Sequence, residues 1–181
     1  MSIGKDYLET AIRRLKYYKD LGDKTFVQLN EWDFHYQPND ESNSIATIIQ
    51  HMTGNMLSRW TNFLTEDGEK EWRKRDEEFE IHQYTKQELI ELWEKGWTCF
   101  LDTLSGLKKK DLKKKVSIRQ EALTVIDAIN RQLAHYPYHI GQIIFLAKII
   151  KNKNWQNLSI PKGNSQAYNQ SDEVKDPAKK Y

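Results

Sequence analysis

With 181 residues, 28 Lys and Arg against 26 Asp and Glu, and a net charge of +2, the chain fits one ordinary domain and carries no surplus of positive charge to draw nucleic acid. Charged residues make up 30% and the mean hydropathy is -0.82, while the longest apolar run, residues 143–150, is broken by Lys148 and falls short of a membrane span. One cysteine, Cys99, excludes an intramolecular disulfide, and residues 1–6 lack an apolar leader, so the expectation is a cytoplasmic protein.

Four long segments have helical periodicity and none has a convincing strand alternation. The first covers about residues 3–29, with Leu8, Ala11, Ile12, Leu15, Tyr18, Phe26 and Leu29 on its apolar face. The second follows the polar cluster 40–43, where Ser42 or Asn43 is the candidate N-cap, and runs to about Leu64 with Ile45, Ile48, Ile49, Met52, Met56, Trp60 and Phe63 inward. A charged connector, residues 65–84, separates it from the third, which opens on the capping box Thr85-x-x-Glu88 and stops at Gly106. Six lysines within 108–115 read as a solvated loop. The fourth starts near Thr124 and reaches about Lys151, with Ile126, Ile129, Leu133, Tyr136, Ile140, Ile143, Ala147 and Ile150 in a 3-4-3-4 seam that Pro137 should bend. Periodicity ends after Trp155; residues 158–165 read as a turn-rich strap and 171–181 as a disordered tail.

These segments predict an all-α fold, a four-helix bundle with a long crossover between helices two and three, as one domain over residues 1–170. Six Trp, nine Tyr and six Phe read first as a core built of large residues.

The pair His135 and His139 carries most of the chemistry. Residues four apart share a helix face one turn apart, so two imidazoles can reach one divalent ion. His51, at the edge of the second helix's stripe, closes a three-imidazole site if helices two and four are neighbours. The alternative is a pair of partly exposed, hydrogen-bonded histidines. Asn55 and Arg59 lie on the side of His51; Gln132 and Gln142 flank the other two. Arg59 can receive an anionic group or form an ion pair with the charged connector. His35 and His82 sit in connectors without a partner at ligand spacing. Cys99, between Trp97 and Phe100, reads as a buried structural thiol, and Gly141 as a point of close helix approach.

The segments Ile48-Ile49-Gln50-His51-Met52-Thr53-Gly54-Asn55 and His135-x3-His139-Ile140-Gly141-Gln142-Ile143, in this order, resemble the DinB-like superfamily. The similarity spans the chain from the first helix to about Lys151. Residues 59–76, with the strap Ser159-Ile160-Pro161-Lys162-Gly163, are similar to an uncharacterised subfamily of that group. The resemblance implies a four-helix bundle with a crossover, frequently a homodimer, and a divalent metal (zinc, nickel, iron or manganese) held by His51, His135 and His139. It also implies a transferase or isomerase that uses a low-molecular-weight thiol such as bacillithiol or mycothiol on a small-molecule substrate.

Three imidazoles leave a coordination position open, as in catalytic rather than structural sites. No Glu adjoins His135 as in the H-E-x-x-H hydrolases, which favours thiol transfer over hydrolysis. Asn55, Arg59 and Tyr138 are the candidate substrate contacts, and Gln142 the candidate hydrogen-bond partner behind His139. A metal-dependent hydrolase and a non-enzymatic metal-binding or dimeric interaction protein remain the alternatives.

Overall fold

Side-chain caps fix where the helices begin. The computed structural model describes residues 2–181. The Ser44 hydroxyl accepts the Thr47 N–H at 3.1 Å and starts α3 (Ile45–Trp60), one or two residues beyond the expected cap. Thr85 and Glu88 exchange both capping-box bonds at α4 (Lys86–Gly106), and Thr124 accepts the Asp127 N–H at the start of α5 (Val125–Lys151). Each cap satisfies an N–H that the helix itself leaves without a partner. The first long helix, α1, spans Ile3–Val27, and a short α2, Glu31–His35, follows through an Asn30–Asp33 capping box. The chain is mostly helical, closing with α6 (Ser165–Gln170).

The four long helices pack in a ring of neighbours: α1 against α4 and α5, and α3 against α4 and α5. Trp60, Trp93, Trp97, Phe100 and Tyr136 fill the space between them, with ring centroids 4.6 Å apart for Trp60 and Phe100 and 5.0 Å for Phe100 and Tyr136. Removing such side chains from water stabilises the fold by roughly 1.5–3 kcal/mol each. The large-residue core explains the aromatic content. Gly22 is a condition of it, because α1 passes so close to Trp93 that a Cβ there would lie 2.5 Å from Cζ2.

Along α5 the buried face differs from the expected seam. Val125, Ile129, Gln132, Tyr136, Ile140, Ile143 and Ala147 are buried, whereas Ile126, Leu133 and Ile150 are only half-buried. The helix is turned so that the amide of Gln132 faces inward. Pro137 lies within an unbroken α5, and Gly141 faces solvent with nothing within 4 Å of a Cβ, so it is no point of close approach.

The expectation of a purely α fold needs correction at the lysine-rich segment. An antiparallel hairpin, β1 (Lys115–Ile118) and β2 (Glu121–Thr124), follows a turn that buries Leu112. Four-residue strands, the first opening on the exposed Lys115, are too short to show an alternation, so tertiary contacts decide them. The tight turn puts Arg119 at φ 54 and Gln120 at φ 65, the left-handed pair that a two-residue hairpin loop requires. Asp67 of the connector offsets the cost: its carboxylate accepts the N–H groups of Arg119 at 2.9 Å and Gln120 at 2.8 Å. Residues 171–181, expected to be disordered, instead return to α1. Asp176 holds Arg14 through two bonds of 2.7 and 2.8 Å, and Ala178 is fully buried.

Two outcomes follow from these contacts. Gly22→Ala should lose about 1–3 kcal/mol of stability by overpacking against Trp93, read from urea unfolding; an unchanged midpoint would contradict the packing. Burial opposes ionisation of Asp67, but the N–H groups of Glu69, Gln120 and Arg119 and the Ser117 hydroxyl outweigh it and hold the carboxyl well below its ordinary value. A depressed folded pKa gives stability that is present above the unfolded value, about 4, and is lost as pH falls below it. Asp67→Ala should therefore be less stable than the parent at pH 7, and the gap should narrow below about pH 4.

Candidate metal centre

The contact between α3 and α5 brings His51 to His135 and His139. One nitrogen of each ring lies within 4.8 Å of the other two, close enough for all three to hold one ion. The Nε2 atoms of His135 and His139 are 3.0 Å apart, and the His51 centroid is 5.5 and 5.0 Å from theirs. All three rings are buried or half-buried.

The opposite edge of every ring meets an oxygen. His51 Nδ1 is 3.1 Å from Glu78 Oε2, His139 Nδ1 is 2.8 Å from Gln142 Oε1, and His135 Nδ1 is 3.4 Å from Gln132 Oε1. Carboxylate and amide oxygens only accept, so each Nδ1 carries the proton and donates. Burial favours the neutral form of His135 and His139, whose lone pair is then on Nε2. The Nε2 atoms of His135 and His139 then face each other across 3.0 Å. Protonation does not relieve the opposition: burial, then the neighbouring His139 and His51, lower the His135 pKa from 6.5 to about 3. Burial likewise lowers that of His139, against the Gln142 hydrogen bond. A divalent cation does relieve it. Two nitrogens each ~2.1 Å from one ion are ~3.0 Å apart at the ~90° of octahedral coordination and ~3.4 Å apart at the tetrahedral angle. The residues fit a metal.

Glu78 comes from outside the helices, on a short 3-10 turn, Asp76–Phe79, that folds the connector back over α3. Gly54 makes room for it, since a Cβ there would overlap the Glu78 carboxylate. Arg73 clamps the same carboxylate through Nε at 2.7 Å and Nη2 at 2.9 Å. Burial alone would raise the Glu78 carboxyl, but the bonds from His51 and Arg73 hold it below its ordinary value. The carboxylate is therefore ionised, and it orients the His51 ring.

Beside His51 and His135 lies a cavity of about 170 Å³, walled also by Asn55 and by Arg59, Arg73, Arg75, Arg119 and Arg131. Asn55 Oδ1 accepts the Tyr136 hydroxyl at 3.1 Å, and Tyr136 in turn accepts from Trp60 Nε1 at 3.2 Å, so the cavity floor is tied to the aromatic core. Arg59 is 5% exposed and binds the Gly68 carbonyl at 2.8 Å and Glu69 at 3.2 Å. Tyr138 is 62% exposed, edge-on to His139, and does not line the cavity. Cys99 is half-buried, its Sγ 3.6 Å from the Thr61 hydroxyl, and His35 binds the Tyr84 carbonyl.

Of this wall the sequence identifies Arg59 but not Glu78, Arg73 or Arg75, because a connector dense in both charges reads as solvated, nor Arg119 and Arg131, which come from the hairpin turn and α5. Gly54, three residues after His51 inside a helix, is the one local sign that another group approaches there. Gln132 was noticed only as a flank.

Over residues 2–164 the chain matches the model of a family described as "Protein of unknown function (DUF1572)". No curated protein and no solved structure matches it.

Replacing Glu78 by Gln should weaken zinc binding about 10- to 100-fold, because the ligand ring loses its charged acceptor. A competition titration against a chromophoric chelator reads this, with circular dichroism confirming unchanged helix content. Equal affinity would dismiss Glu78 as an orienting group.

Proposed function

Because the chain belongs to the DUF1572 family, which is described without an activity, its chemistry has to come from its own residues, and we propose a divalent-metal centre serving transfer between a low-molecular-weight thiol and a small electrophile. In this reading the helices form a DinB-like four-helix bundle, with the long connector crossing between α3 and α4. The observation that carries the proposal is the convergence of one nitrogen from each of His51, His135 and His139 within 4.8 Å, with the Nε2 atoms of His135 and His139 3.0 Å apart.

His51, His135 and His139 would hold the ion, each oriented by its Nδ1–H bond to Glu78, Gln132 or Gln142. A bound divalent ion supplies Lewis acidity, which makes a thiol or a water acidic near neutral pH. The three imidazoles would place no formal negative charge on the ion itself. The residues around it select between the two nucleophiles. Hydrolysis calls for a carboxylate of raised pKa with a free oxygen near the site. Glu78 has neither property, since both oxygens are engaged by Arg73 and His51 and its pKa is lowered. A thiol requires no such base. Asn55, held by Tyr136, keeps a rigid polar floor beside the imidazoles.

Elemental analysis should find about one divalent ion per chain in the purified protein and little in His135→Ala. The loaded protein should accelerate the reaction of monochlorobimane with added cysteine, and His51→Ala should abolish the acceleration. Equal metal content in parent and variant removes the centre. Turnover of an ester without thiol would replace transfer by hydrolysis.

A further inference from the structure

Five guanidinium groups meet in the cavity beside the imidazoles, and they arrive from four separate parts of the chain. Arg59 comes from α3, Arg73 and Arg75 from the connector, Arg119 from the hairpin turn, and Arg131 from α5. Two carboxylates face them. Glu69 lies 3.2 Å from Arg59, 3.3 Å from Arg119 and 3.9 Å from Arg73, and Glu78 serves Arg73 while also holding His51. The balance is five positive groups against two negative ones, in a space partly shielded from water.

That surplus is not neutralised within the chain. Arg75 and Arg131 are exposed members of this wall, and none of the ion pairs with Glu69 or Glu78 involves them. Arg73 is the stronger sign. Its side chain is 2% exposed, yet its buried Nη1 has no hydrogen-bond partner. Nη1 keeps only the 3.9 Å ion pair with Glu69; a buried charged donor without a hydrogen bond is costly, and native structures rarely keep one without reason. Mutual repulsion adds to the cost: burial weighs most against the Arg59 cation, Glu69 supports it, and the charges of Arg73, Arg131 and Arg119 again weigh against it. An incoming anion relieves both.

We infer that this arginine-walled cavity is an oxyanion subsite, taking a carboxylate or phosphate group of a small molecule and holding it next to His51 and His135. Forked guanidinium donors match the geometry of both anions. A cavity of about 170 Å³ is several times the ~30 Å³ share of one water molecule, so it admits such a group with a short stem. Anion binding stands independently of the metal. Its meaning as a substrate subsite rests on the metal-centred reading above, and it makes the substrate class anionic.

Calorimetric titration of the metal-free, full-length protein with inorganic phosphate, and separately with succinate, tests the subsite. Saturable binding is expected with at least one of the two, and the stronger ligand identifies the preferred anion. Arg131→Gln and Arg75→Gln change exposed positions, so the fold should be kept; each should weaken binding about tenfold while leaving zinc loading unaltered. Absence of saturable binding to the parent overturns the subsite. So does equal binding by parent and both variants, or binding that requires the metal and ignores the arginines. A protein that takes up no metal but binds anions with the stated arginine dependence keeps this subsite and loses the metal centre.

Discussion

Three imidazole Nδ1–H groups, each committed to a fixed oxygen, set the character of the molecule. The commitment forces every neutral ring to present its lone pair from Nε2, and the contact of α3 with α5 turns those lone pairs toward one point. Such a cluster is unfavourable by itself, because rings that cannot share a proton repel. Burial keeps protonation from relieving it at His135, and the acceptors hold the rings in place. Preorganisation of this kind reduces the reorganisation needed when a cation arrives.

The acceptors come from different levels of the architecture. Gln132 and Gln142 are on the same helix as the rings they orient, so helix geometry alone delivers them. Glu78 depends on the whole connector folding over α3. That path is secured by buried polar contacts, including the Ser58 hydroxyl donating to the Gly68 carbonyl at 2.7 Å and Lys70 reaching the Glu66 carboxylate at 2.8 Å. The Gly68 N–H donates to the Ser117 carbonyl at 2.9 Å and ties the same path to the hairpin. Connector, hairpin and centre are thus one mechanical unit. The aromatic core reaches it through Trp60, Tyr136 and Asn55.

This arrangement also explains why a segment of mixed charge is not a solvated linker here. Lys70 and Arg73 are buried, and their charged heads find carboxylates. Charge runs are usually exposed because single burial is expensive. Buried in matched groups, they become a wall, and the unmatched remainder gives that wall its positive potential.

The sequence by itself determined the four long helices. Their caps, Thr85 with Glu88 and Thr124, and their periodicity act between residues a few positions apart, where local geometry fixes the outcome. It also determined that His135 and His139 share a face and that His51 lies at the edge of its stripe. Only the tertiary structure decided what meets across long separations: that α3 adjoins α5, that α5 is turned to bury Gln132, and that Glu78 reaches His51 over Gly54. The hairpin, the returning C-terminal segment and the five arginines belong to the same class. The reason is physical. Contacts within one or two helical turns follow from backbone geometry, whereas contacts between distant segments depend on how the entire chain packs, which no short window of residues encodes.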